Sequence, residues 1–381
     1  MKICIITLPL KFNYGCLLQA FALNLFLRKN GHSALTANYV NPRIPLTMRL
    51  ACNPFVRAVR KLFGKKVSVL FRDYRKYNLD CHLRRFVEKN IPRTRLIKTL
   101  ATWRDFEEYG FDAFVVGSDQ VWRDSMSQHL PTAFFDFIPD NSKIKRIAYA
   151  ASFGVDKFEH GKRPILFYRK LIKKFNAVSV REKDGVRICR DELLANAVHV
   201  LDPTMLLSSD DYKKIIDADR DNFRDFGNNY AFRHILNENL SKSREFSDSL
   251  KSLFGKVESV VPKGDRNAWK LDFDAAQLRP VSEWLNGIKN AKIVITDSFH
   301  CVVFSIIFKT PFVVIGNSHT GLSRIKSILD MFGLSERFAI SPSATDIENA
   351  AKSPIDWEAV HNILKEKQKE SAEFLLSALE K

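Results

Sequence analysis

Ile3-Cys4-Ile5-Ile6-Thr7-Leu8-Pro9-Leu10 decides the fold class. An unbroken apolar run rich in β-branched residues is the pattern of a strand covered on both faces. A polar turn follows at residues 11–15. Leu18, Phe21, Ala22 and Leu25 then recur at helical spacing, and Gly31 supplies a stop. Residues 35–40 read as a second strand, so the segment is a right-handed crossover unit with parallel strands. The same run superficially resembles a secretory leader, but it is short, ends at Lys11 and lacks a small-residue cleavage site. A first buried strand is the expectation.

Alternation continues outward from this unit. Short apolar segments at residues 113–117, 146–151, 177–181 and 197–201 read as strands separated by helical or loop sequence. A polar stretch at residues 208–229 follows, and strands are expected again at 230–236, 257–261, 293–296 and 312–315, with a helix at 281–289. This predicts an α/β protein with a doubly wound parallel sheet in each half. The expected domains are residues 1–207 and 208–381, with a charged terminal helix at 357–381 crossing back to brace the first domain. A chain of 381 residues suits two cores of roughly 150–200 residues each. Residues 43–76 break the alternation: basic residues such as Arg49, Arg57 and Lys65 interleave with Phe55, Leu62 and Phe71, and Asp73 is the one acid. Such an insertion either lies on an anionic membrane surface or packs on the first domain as a helical excursion.

The chain carries a formal charge of +17 and 30 Phe. The charge attracts polyanions without choosing among them, and the rings belong in cores or on a lipid-facing surface. No helix-turn-helix, zinc-finger or RNP-type pattern is present, so nucleic acid is not an expected partner. Six scattered cysteines without paired spacing predict free thiols in a reducing compartment and no zinc site. No run approaches the roughly 20 apolar residues of a membrane span. Neither a Walker sequence nor a G-x-G-x-x-G turn occurs, so no cofactor is expected.

Ligands of open parallel sheets bind at the carboxyl ends of strands, which singles out four places. Thr296-Asp297-Ser298-Phe299-His300 closes an apolar strand and opens an apolar helix. The free N–H groups of such a helix start attract an anion, and His300 is suited to donate a proton. The plainer alternative is that Asp297 and Ser298 cap the helix and His300 is a satisfied, partly buried residue. Gly117-Ser118-Asp119-Gln120 offers close backbone approach and hydrogen-bonding groups, or else a capped turn. Arg181 ends a strand as a fork for carboxylate or phosphate, unless Glu182 or a neighbour pairs with it. Asn13-Tyr14-Gly15 forms the first turn.

These clusters, in this order, resemble the polysaccharide pyruvyl transferase family. The likeness runs through Asn13-Tyr14-Gly15 with Leu18-Gln19-Ala20, Gly117-Ser118-Asp119-Gln120-Val121-Trp122 and Tyr149-Ala150-Ala151-Ser152-Phe153-Gly154. It continues through Ser179-Val180-Arg181-Glu182, Leu201-Asp202-Pro203-Thr204 and Thr296-Asp297-Ser298-Phe299-His300, from about residue 3 to about residue 340. The resemblance implies two Rossmann-like domains facing a cleft as in B-type glycosyltransferases. It also implies phosphoenolpyruvate as donor and a sugar of a surface polysaccharide, or its lipid-linked precursor, as acceptor. Catalytic roles then fall to His300, with Asp119 or Asp297 as base. Substrate binding falls to Asn13, Gly15, Ser118, Gln120, Arg181, Ser298 and Arg324. Two departures stand out. Some members carry Arg where this chain has Ser298, so another cation is needed, with Arg324, Lys263 and Arg233 the alternatives. Gly often follows the histidine, where this chain has Cys301. A cytoplasmic protein, free or peripheral on the inner face of the membrane, is expected. The competing readings are a nucleotide-sugar glycosyltransferase of the same architecture and a non-catalytic scaffold.

Overall fold

The computed structural model describes residues 1–10, 13–39, 80–97, 101–127, 129–159, 162–260, 277–316 and 322–380. The basic insertion at 43–76 and Lys263 lie outside the described residues. The apolar runs do form strands, and every strand pairing is parallel. The first sheet contains β1 (Lys2–Ile6), β2 (Ser33–Tyr39), β3 (Arg93–Ile97), β4 (Ala113–Val116), β5 (Lys145–Ala151), β6 (Ala177–Val180) and β7 (Val198–His199), ordered β3-β2-β1-β4-β5-β6-β7. The second contains β8 (Ala231–His234), β9 (Val257–Glu258), β10 (Ile293–Thr296), β11 (Phe312–Ile315) and β12 (Phe338–Ala339), ordered β12-β11-β10-β8-β9.

Both orders reverse direction once. In the first sheet the chain leaves β1 toward β2 and returns to β1's other side as β4. In the second it leaves β8 toward β9 and returns as β10. The crevice at such a reversal is where an open α/β sheet takes its ligand. The molecule therefore has two ready-made crevices, at β1/β4 and at β8/β10.

Burial explains why these segments are strands. β1 from Ile3 to Ile6, all of β4 and all of β10 and β11 are buried, covered by helices on both faces. Each buried Ile or Val contributes about 1.5–3 kcal/mol. The expected strand at 197–201 is only the edge pair Val198–His199, and β3 and β12 were not expected. β3 reads Arg-Thr-Arg-Leu-Ile and buries just Thr94 and Ile97, so its apolar pattern is too thin to announce a strand.

The phenylalanines go chiefly inward. Phe106, Phe114, Phe135, Phe137 and Phe175 interlock in edge-to-face and stacked pairs under the first sheet. A second aromatic group joins the two halves: Tyr14, at the start of helix Tyr14–Lys29, stacks on Trp284 with centroids 5.5 Å apart. The Tyr14 hydroxyl donates to the Arg279 carbonyl at 2.9 Å. The terminal helix Trp357–Glu380 spans both sheets' surroundings. His361 Nε2 lies 2.9 Å from the Ile306 carbonyl, the Ser371 hydroxyl accepts from Leu201 N at 3.0 Å, and Gln368 donates to the Met205 carbonyl at 2.6 Å. Among the described residues, no helix is long and apolar enough to cross a membrane.

Candidate functional site

The two crevices meet. A cavity of about 150 Å³ is lined from one side by Asn13, Asp119 and Gln120, which follow β1 and β4. From the other side it is lined by Leu236, Asn237, Asp297, Ser298, Phe299 and His300, which follow β8 and β10, with Arg324 and Ile325 closing it. Of the ten residues that the sequence singles out, seven lie on this wall: Asn13, Asp119, Gln120, Asp297, Ser298, His300 and Arg324. Gly15, Ser118 and Arg181 stand behind it. Arg233 donates to the Ser247 hydroxyl at 2.8 Å and is not on the wall.

Each side chain is placed by local chemistry. Asn13 caps helix Tyr14–Lys29, its side-chain oxygen accepting from Gly15 N and Cys16 N at 2.9 and 3.3 Å. Gly15 makes room for the histidine: a Cβ there would lie 2.0 Å from His300 Nδ1. Gln19, buried, accepts from Ser118 N at 2.8 Å and donates to Thr7 Oγ1 at 2.8 Å, which ties the loop after β4 to the end of β1. Gln120 Oε1 accepts from Arg123 Nη1 at 2.8 Å and presses against Gly154, where a Cβ would lie 2.2 Å away. Asp297 holds the turn after β8, its two carboxylate oxygens accepting from Leu236 N and Asn237 N at 2.6 and 2.9 Å. Ser298 precedes helix Phe299–Phe308, and its hydroxyl makes no capping bond.

Behind the wall lies a buried charge network centred on Asp202, a residue of the Leu201-Asp202-Pro203-Thr204 segment for which the sequence predicts no role. Asp202 Oδ2 accepts from Arg181 Nη1 at 2.7 Å and lies 3.1 Å from the Ser118 hydroxyl. Its Oδ1 accepts from Thr204 N and Thr204 Oγ1 at 3.1 and 2.7 Å. Arg181 Nη2 donates to Asp119 Oδ1 at 2.8 Å, and the guanidinium sits 4.6 Å from the centre of the Phe299 ring. The side chain of Arg181 is 0% exposed, so it is committed to two carboxylates and does not reach the cavity. Among the described residues His300 Nε2 is buried without a hydrogen-bond partner, 3.7 Å from Asp202 Oδ2.

Burial and charge compete at every carboxylate here. Burial pushes Asp119 up, but Arg181, then His300 and Arg324, outweigh it and hold the group below its usual range. Asp202 is driven far lower against the same burial, by His300, Arg181 and Thr204. Glu182, whose Oε1 accepts from Phe153 N and Gly154 N at 2.8 and 3.2 Å, is instead pushed up by burial, because Arg181 and Arg324 do not fully offset it. Arg324 is pulled down to about 10 by burial and then by Arg181. It keeps its charge at neutral pH. No ion pair holds it to an acid among the described residues, its Nε has no partner, and it lines the cavity. A half-buried cation in that condition is poised for an anion. Arg324, one of the three cations expected as alternatives to an arginine at position 298, lies on the wall and is supplied by helix Leu322–Met331.

A model of the polysaccharide pyruvyl transferase family matches residues 13–319. No curated protein matches the chain. Among solved structures, the UDP-GlcNAc 2-epimerase of Neisseria meningitidis is similar, with a TM-score of 0.52 and 12% identity over 99% of this chain and 100% of that one. UDP-N-acetylglucosamine 2-epimerase from Rickettsia bellii gives 0.54 and 12%, over 100% and 97%. The corresponding Methanocaldococcus jannaschii enzyme gives 0.52 and 12%, over 93% of each chain. At such identity the likeness is one of fold: two parallel-sheet α/β domains arranged as in B-type glycosyltransferases.

Proposed function

The chain belongs to the polysaccharide pyruvyl transferase family, and from that premise we propose that it moves a pyruvyl group from phosphoenolpyruvate to a sugar, releasing phosphate. The acceptor is a sugar of a surface polysaccharide or of its lipid-linked precursor, and the product is a cyclic ketal. One observation supports the donor above the rest: the Arg324 guanidinium, which has no ion pair to an acid among the described residues, and the imidazole of His300 line one small cavity. A small dianion needs a cation and a helix start, and helix Phe299–Phe308 opens at the same wall.

In this mechanism Arg324 and the helix N-terminus hold the carboxylate and phosphate of the donor. His300 protonates the methylene carbon, which leaves the central carbon electrophilic. One sugar hydroxyl adds to that carbon, the bond to phosphate oxygen breaks, and a second hydroxyl closes the ketal. Of the two hydroxyl protons, one replaces that given to the methyl carbon and the other leaves with phosphate. Asp119 is on the wall with only its Oδ1 held, by Arg181, among the described residues, whereas both oxygens of Asp297 hold backbone N–H groups. Asp119 is therefore the better proton acceptor. Arg181 orients Asp119, and Asp202, 3.7 Å from His300 Nε2, balances the charge when His300 is protonated. Free buried thiols at Cys4, Cys16, Cys189 and Cys301 agree with a cytoplasmic setting.

The test is incubation of the purified protein with phosphoenolpyruvate and a panel of nitrophenyl and lipid-linked sugars, reading phosphate release and the pyruvyl mass increment. His300→Ala is expected to lose about 10²–10⁴-fold in turnover with an unchanged melting curve. Full activity in that variant would remove His300 from the mechanism.

A further inference from the structure

A second cavity, of about 370 Å³, lies where helix Tyr14–Lys29 ends and helices Cys81–Asn90 and Ser209–Asp217 pass beside the start of helix Val281–Lys289. Its volume is in the range of small-ligand sites. Part of the lining is apolar: Phe21, Leu25, Phe86, Ile215 and Val281, with Phe21 and Phe86 in edge-to-face contact at 5.8 Å. The same helices add cations to the lining: Lys29, Arg85, Lys89 and Lys214. His82, Arg85 and Lys89 share one face of their helix, and like charges four apart repel.

The acids of this cavity are already engaged. Asp211 pairs with Lys29 at 2.5 Å and accepts from Ser208 N and its hydroxyl at 3.1 and 2.9 Å. Lys214 reaches the same carboxylate at 4.0 Å. Asp219 accepts from Ser282 Oγ and, at 2.9 Å, from Asn222 Nδ2. Arg85 and Lys89 line the cavity with no ion pair to an acid among the described residues. Two cations without an acidic partner among the described residues, in a cavity that is also lined by apolar side chains, select a molecule with an anionic end and a greasy end.

We propose that this cavity binds a lipid phosphate, the head against Arg85 and Lys89 and the chain along Phe21, Leu25 and Phe86. The proposal does not depend on phosphoenolpyruvate being the donor. It is tested by calorimetric titration of the full chain with decyl phosphate below its micelle concentration, beside inorganic phosphate, octyl glucoside and uridine monophosphate. Decyl phosphate is expected to bind about tenfold or more tighter than the other three. The double substitution Arg85→Glu, Lys89→Glu is expected to weaken it by about tenfold or more. Both side chains are exposed, so the melting temperature should hold and show that the variant folds. Equal binding of inorganic phosphate, tighter binding of the nucleotide, no binding at all, or indifference to the double substitution would each overturn the assignment.

Discussion

Gly15 shows how narrowly the site is set. Its missing Cβ is the space that the His300 ring occupies, so Gly15→Ala should displace the imidazole while leaving the helix intact. A misplacement of about 1 Å can cost about 10²-fold in rate. Turnover in the family's reaction is expected to fall by that order, with the melting temperature nearly unchanged; wild-type turnover would refute the packing argument. Asp202 makes a second test. Its folded value lies below the unfolded carboxylate value of about 3.9, so ionisation stabilises the fold above that pH, and the contribution shrinks as pH falls toward the folded value. Asp202→Asn should therefore melt lower than wild type at pH 7, with the gap narrowing below about pH 4. A gap that stays constant down to pH 3 would contradict this. Neither role was legible in sequence. Asp202 stands before Pro203 and reads as a turn, because Arg181, Ser118 and His300 approach it from distant segments. Arg181 was legible as functional in type but not in place: its two aspartate partners lie 62 and 21 residues away.

Elements were more legible than their contacts. β10, β11 and helix Val281–Lys289 match the expected bounds because each is an apolar run between clear stops. β3 and β12 are edge strands with little buried surface, so no apolar pattern marked them. Asp297 belongs to this scale, since it ties the end of β10 to the turn after β8. Asp297→Asn keeps an acceptor oxygen and should retain activity within about tenfold, while Asp297→Ala should cost about 1 kcal/mol of stability. A loss of about 10²-fold or more in the Asn variant at unchanged stability would make Asp297 the base instead. Trp284 is the corresponding joint between the halves, stacked on Tyr14 and edge-on to Phe304 at 5.4 Å. Its indole N–H donates to His234 Nδ1 at 3.3 Å. Trp284→Ala should cost about 3–5 kcal/mol in denaturant unfolding.

At the scale of the molecule, the decisive feature is that two parallel sheets present their reversal points to one cavity. The alternation of strands and helices made two such sheets legible, but which strand ends face one another depends on strand order, and no single segment encodes that. Arg324 illustrates the consequence. It was one of several cations available to the sequence reading, and only the docking of helix Leu322–Met331 against helix Lys183–Asp191 brings it to His300. That docking is visible in Ser327 accepting from Lys183 N at 3.2 Å and in the Ser323–Asp184 hydrogen bond. The most direct measurement is calorimetric titration of phosphoenolpyruvate into the wild-type chain and into Arg324→Ala. Saturable binding to the wild type is expected, weakened about tenfold or more in a variant that melts at the same temperature. Equal affinity in the two proteins, or no binding to the wild type, would contradict a donor site at this cavity.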